Sequence, residues 1–247
     1  MSNYKNLDRL VPGVSKKIEP YLNELVNLHG DSIRSIVVYG SGATKDFSLK
    51  TSDINLLVIF DKVNFDVLKK SLKLVNQGIK KKIMAPLFLS DDYMQASCDV
   101  FPIEFLDFKE NHVLVYGEDL LASLTIDSKN LQLQCEEQIK GKLIRLQQAY
   151  LEVGLSRKGI EALLKESLKA LLPVFRNLLR LKGKPAPISK ESILKDLALE
   201  FGIRGDIFLE VLRDQQADEK IRGKAAVVFI EGYLDEMRKL AEMVDKL

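Results

Sequence analysis

Gly40-Ser41, Asp53 and Asn55 are the residues whose types and spacing point to chemistry. An apolar, β-branched run, SIVVYG, ends at Gly40. Twelve residues after Ser41, Asp53-Ile54-Asn55 leads into a second apolar run, INLLVIF. A Gly-Ser turn at the end of a strand offers backbone N–H groups and a hydroxyl to phosphate oxygens. Positions i and i+2 of a strand share a face about 7 Å apart, so side chains at 53 and 55 can converge on one ligand. Two acids so placed would hold Mg²⁺, which takes one or two carboxylates together with phosphates and water. That is the equipment of phosphoryl or nucleotidyl transfer, where alignment and charge neutralisation carry the reaction. An acid from an adjacent strand would complete the set. Glu104 lies mid-way along VFPIEFLDF, which reads as a strand, where a carboxylate is costly unless paired or metal-bound. It is the preferred third acid, and Asp107, three residues on, is the second choice.

Asn55 stands where a second carboxylate is expected. Its amide oxygen coordinates a metal without adding charge, which weakens metal binding and transition-state stabilisation together. Three states fit: a slow or differently built enzyme, a nucleotide-binding protein without turnover, and a scaffold whose catalysis has decayed. Each part also has an ordinary structural reading. Gly-Ser turns are common, Asp53 can cap its strand, Asn55 can be a hydrogen-bonded strand residue, and Glu104 can face solvent. Order, spacing and strand context together favour the site.

The elements that must position these residues differ between the two halves. In the first, residues 16–28 have helical apolar spacing, 35–40 and 54–60 read as strands, and 64–82 as a Lys-rich amphipathic helix capped by Asn64. Residues 83–90 read as a strand that Pro86 confines to an edge or a bulge. Residues 100–108 read as a fourth strand, and 112–117 as a fifth or as a lead into a short helix near Glu118. Strands interleaved with helices give an α+β domain with a mixed sheet. The second half has almost no strand signal. Residues 128–153, 158–182, 190–201, 206–214 and 221–246 read as helices, with a kink expected at Pro173 and a break at GKPAPIS. They form an all-α bundle, with domains at 1–124 and 125–247.

At this point GSGATKDFSLKTSDIN, residues 40–55, resembles the signature of the nucleotidyltransferase superfamily that includes kanamycin nucleotidyltransferase and DNA polymerase beta. The helical half is similar to the bundle that accompanies minimal nucleotidyltransferases. The resemblance implies a nucleotidyltransferase-type mixed sheet flanked by helices, with Mg²⁺ or Mn²⁺ as cofactor and a nucleoside triphosphate as substrate. Gly40 and Ser41 would hold the triphosphate and Asp53 the metal. Asn55 takes the place of the second metal carboxylate, and Glu104 would be the third acid, as ligand or general base. The reaction implied is transfer of a nucleoside monophosphate to a hydroxyl. The alternative is a catalytically degenerate relative that binds nucleotide, or a protein or RNA partner, without turnover. Acceptor, base preference and oligomeric state stay open.

The remaining composition narrows the choice. The 247 residues are 46% hydrophobic and 29% charged, with net charge +2, as in an ordinary globular protein. No apolar run is long enough to span a bilayer, and MSNYKNLDRLVPG lacks the apolar core of a secretory signal. Cys98 and Cys135 form neither a disulfide framework nor a zinc motif and read as reduced thiols. The expectation is a cytoplasmic protein with no membrane partner. His112 reads as a hydrogen-bonded or surface residue, and His29 as a partly charged ring at a helix C-terminus. The motifs of P-loop ATPases, dinucleotide enzymes, zincins and α/β-hydrolases are missing. Residues 138–184 carry 11 basic and 3 acidic residues. Arg145, Arg157, Lys158, Arg176 and Arg180 among them would steer an anionic ligand from a cleft facing the sheet. RNA is a weaker candidate, because few aromatics interleave with these cations.

Overall fold

The computed structural model describes residues 4–44, 47, 52–185, 187, 189–215 and 225–247. The chain divides into two compact units, Met1–Ile126 and Asp127–Leu247. Among the described residues, no helix is long and apolar enough to cross a membrane.

The first unit opens with α1 (Pro12–His29), which has proline at its start and is closed by Gly30, whose φ of 55° favours glycine. Four strands follow: β1 (Ile33–Tyr39), β2 (Asn55–Phe60), β3 (Leu87–Ser90) and β4 (His112–Gly117). Their order is β3-β2-β1-β4. β1 runs antiparallel to both β2 and β4, while β2 and β3 are parallel, so the sheet is mixed. The parallel pair is joined by α2 (Phe65–Ile79), whose Asn64 side chain accepts the Val67 N–H as a cap. β3 begins one residue past Pro86 and lies on the sheet edge, where a missing N–H is tolerated.

β1 and β2 read as continuous apolar runs because both faces of the sheet are covered. Ile36, Val38, Leu56, Val58 and Phe60 pack with Ile18, Leu22 and Leu25 of α1 and Leu74 of α2. Val37, Leu57 and Ile59 pack on the opposite face with Met94 and Phe105. α1 and α2 approach closely at Gly78, where an added Cβ would stand 2.7 Å from the Tyr21 ring. His29 closes α1 with Nε2 2.8 Å from Ser71 Oγ and its ring edge-on to Phe60. Burial, helped by Lys70, lowers its pKa. The ring is therefore held toward its neutral form, against the expectation of a partly charged imidazole.

Residues 100–108 are not a strand. Met94 and Phe105 belong to two helices, α3 (Asp91–Ala96) and α4 (Pro102–Glu110). Pro102 occupies the first position of α4, where its lost N–H costs nothing, and Glu104 suits the first turn. Ile103 and Phe105 are buried, and Phe105 and Phe108 meet at 6.0 Å. The run VFPIEFLDF alternates well enough to imitate a strand, but the helix lets these rings cover the sheet. The short helix α3 has no counterpart in the sequence reading.

The second unit contains α5 (Ser128–Val153), α6 (Arg157–Leu181), α7 (Lys190–Phe201), α8 (Gly205–Gln215) and α9 (Ala225–Val244). Asp127, Ser156 and Ser189 cap the first three through side-chain oxygens. α6 continues through Pro173. Its buried Leu164, Leu168, Leu171 and Phe175 form the central stripe, and Phe175 stacks edge-on to Phe208, which meets Tyr233. The part of the last helix expected before residue 225 lies outside the described residues. Cys98 and Cys135 are both free and buried.

Candidate functional site

β1 ends at Tyr39 and turns into a short 3₁₀ segment, Gly40–Ala43. The Ser41 carbonyl accepts the Thr44 N–H at 3.1 Å and closes the turn. Gly40 has φ 65°, a left-handed conformation that only glycine adopts without strain. An added Cβ there would lie 3.3 Å from Asn55 Nδ2, so the turn rests against the Asn55 amide. Gly42 is buried, and an added Cβ would stand 3.1 Å from Val38 Cγ1. Close approach thus disfavours a side chain at Gly40 and at Gly42, and Ser41 sits half-buried between them.

The other wall is the start of β2. Ile54 is fully buried and bridges to Ile83: its N–H donates to the Lys82 carbonyl at 2.8 Å, and its carbonyl accepts the Met84 N–H at 2.9 Å. Strand alternation then turns Asp53 and Asn55 away from the Ile54 face, toward the side that carries Leu57 and Ile59. Asp53 is exposed and Asn55 half-buried. Asn55 pairs across the sheet with Tyr39, and Tyr39 with His112, giving a row of three polar residues at one end of the sheet. The row is anchored rather than loose. Tyr39 stacks on Phe108 at 4.7 Å, and burial raises its hydroxyl pKa. His112 places Nδ1 2.8 Å from the Phe108 carbonyl and Nε2 3.2 Å from Asp119 Oδ1.

The structure brings Gly40, Ser41, Asp53 and Asn55 to one end of the sheet. It does not supply an acid from a neighbouring strand. Among the described residues, the segments paired with this end of β2 are Tyr39–Gly40 of the β1 end and Lys82–Ala85 ahead of β3, and neither contains a carboxylate. Glu104 is an exposed residue of α4, one helical turn from Phe108 on the same stripe. Asp107, also on α4, accepts a hydrogen bond from Asn111 Nδ2 at 3.2 Å. Among the described residues, no group of three His, Cys, Asp or Glu side chains is arranged to hold a metal. One carboxylate and one amide oxygen do not make an all-protein metal cage. They fit a Mg²⁺ that keeps most of its contacts to phosphate and water.

Lys82 is the residue that the sequence reading missed. It looked like the tail of a helix over 64–82, but α2 ends at Ile79. Ile83 N–H bonds back to the Gly78 carbonyl and Lys82 N–H to that of Ile79, which is the Schellman ending with Lys82 in its left-handed position. That position usually holds glycine, and Lys82 adopts φ 64°. Its carbonyl accepts the Ile54 N–H, so a lysine in a conformation that favours glycine lies against the backbone next to Asp53. In the sequence, only a Lys where Gly was expected could have signalled it.

The bundle's basic residues are partly engaged. Arg157 Nε pairs with Glu161 at 3.1 Å, and Arg180 Nη1 donates to Asn177 Oδ1 at 2.7 Å. Lys142, Arg145 and Glu166 line an open pocket between α5 and α6. Phe175 is fully buried in the core, whereas Tyr150 is half-buried and lines a pocket with Ile230 and Leu234.

No family model and no curated protein sequence matches the chain. Its fold is similar to that of spectinomycin adenyltransferase AAD(9) from Enterococcus faecialis, crystallised with ATP and spectinomycin. The TM-score is 0.54 at 13% sequence identity, with 92% of this chain and 98% of that chain covered. The mixed sheet of the first unit and the helical second unit thus share the fold of that adenyltransferase.

Proposed function

We propose that this protein transfers a nucleoside monophosphate from a nucleoside triphosphate to a hydroxyl acceptor, with Mg²⁺ or Mn²⁺. The observation that carries the reading is the contact of Gly40 with the Asn55 side chain, two residues from exposed Asp53, at the head of a central strand. The turn over Gly40 and Ser41 would receive the triphosphate. Asp53 would hold the metal, with the Asn55 amide oxygen as its neutral neighbour. The bound metal would neutralise phosphate charge and orient the leaving pyrophosphate. Lys82 would add positive charge beside Asp53, where a second carboxylate is missing and less negative charge opposes the phosphates. α4 lies on the same sheet face, and Glu104, with Asp107 as second choice, would furnish the base that takes the acceptor's proton.

Asn55 also favours a second reading, in which the chain binds nucleotide without turnover. Both readings need a working phosphate site, and one titration tests it. ATP and GTP are titrated calorimetrically into wild type and Asp53→Ala, with and without Mg²⁺. Metal-dependent binding that is lost in Asp53→Ala supports the site, and acceptor screening then separates the two readings. No binding of either nucleotide under any metal condition overturns both.

A further inference from the structure

α2 presents a second, unrelated surface. Its buried side, Ser71, Leu74 and Gly78, is spent on α1 and the sheet. Yet Phe65, Leu68, Leu72 and Ile79 are 75%, 45%, 63% and 49% exposed, and half-buried Val75 lies among them. The spacing of 65, 68, 72, 75 and 79 is three, four, three, four. On a helix this is a stripe about 80° wide, the narrow a/d seam of a coiled coil rather than the broad face of a core helix. Single exposed leucines are ordinary, but a row of five apolar residues along about 22 Å of one helix is not.

The surroundings say what would cover it. One border of the stripe merges with the buried face of α2. The other is lined by Lys69, Lys73 and Lys80, which fall on the next 80° of the helix. Residues 65–82 hold six lysines and one aspartate, net +5. Two copies of this chain pairing through α2 would set these charges against each other. An anionic membrane surface suits a wide apolar face with cations on both borders. Here the stripe is narrow and its cations lie on one border only.

We propose that the α2 stripe is a docking surface for an amphipathic helix of another protein. The partner helix would carry leucine-like residues at a and d, and acidic residues along the flank that meets Lys69, Lys73 and Lys80. Knobs-into-holes packing supplies the affinity, and the lysine row selects the partner and its direction.

A three-heptad peptide with Leu at a and d and Glu on its flanks, labelled for fluorescence anisotropy, tests this on the full chain. The expected result is saturable binding that weakens about tenfold in Leu72→Asp and in half-molar salt. Leu155→Asp, at a fully exposed leucine of the other unit, should leave binding unchanged. Lys69→Glu with Lys73→Glu should transfer the preference to a peptide with Lys flanks, which a merely structural effect would not do. Circular dichroism checks that the variants stay folded. Equal binding by a peptide with Ser at a and d, or no binding by the Leu peptide, overturns the proposal. So does self-association, or flotation with phosphatidylserine vesicles, that Leu72→Asp abolishes while peptide binding is absent.

Discussion

Asn55 and Lys82 are the two residues at which this site departs from ordinary rules. In the proposed site, an amide where a carboxylate is expected would lower the negative charge facing the phosphates. Asn55→Asp is nearly isosteric and should tighten Mg²⁺-dependent ATP binding about tenfold, as a charged oxygen replaces a neutral one. Calorimetry at fixed Mg²⁺ reads this directly, and unchanged affinity would place no metal at residue 55. Lys82 is the mirror case, a side chain retained where glycine would be easier. Lys82→Gly relieves the left-handed conformation and should stabilise the protein by about 1 kcal/mol, seen as a higher urea midpoint. The same variant should weaken ATP binding if the ammonium faces the phosphates. A loss of stability would mean that the Lys82 side chain contributes more packing than its backbone costs.

At the scale of elements, the start of α8 and the body of α9 are joined through one buried carboxylate. Glu236 accepts the Arg204 backbone N–H and Nε at 2.9 Å each, and Lys239 Nζ at 2.9 Å. Burial opposes its charge, but hydrogen bonds from Lys239 and Arg204 outweigh burial and hold its pKa at about 2. A carboxyl held below its usual range stabilises the fold fully above about pH 5, and that contribution is lost as pH falls toward 2. Glu236→Gln should therefore cost about 2 kcal/mol at pH 7, with part of the pairing screened because Arg204 and Lys239 reach solvent. Urea midpoints at pH 7 and pH 3 check the sign. The gap between wild type and variant should narrow at the lower pH.

At the scale of the whole molecule, each unit has its own buried core. The sheet's two clusters draw on residues between Leu10 and Leu124, and the bundle's aromatic contacts on Phe175, Phe208 and Tyr233. Calorimetric unfolding should then depart from two-state behaviour, with an enthalpy larger than its van't Hoff value. Glu236→Gln should shift one component and leave the other in place. A single transition that moves as a whole would show that the units unfold together.

Local pattern determined much of this protein. Apolar runs at 35–40 and 54–60 became the two central strands because strands covered on both faces lose their alternation. The bundle helices followed from three-and-four spacing, and their starts from Asp127, Ser156 and Ser189, whose side chains can reach only the next few backbone N–H groups. The Gly40-Ser41 turn was legible because the chain needs a glycine with positive φ where β1 ends. What the sequence did not determine depends on which segments become neighbours. Residues 100–108 alternate like a strand, but α4 sets Phe108 against Tyr39 and Phe105 among Leu57 and Ile59. Cross-strand register alone set Tyr39 and His112 beside Asn55. Pairing of Ile54 with Ile83 likewise set the Lys82 backbone against the segment that carries Asp53. Such pairings join residues tens of positions apart, and no local periodicity encodes them.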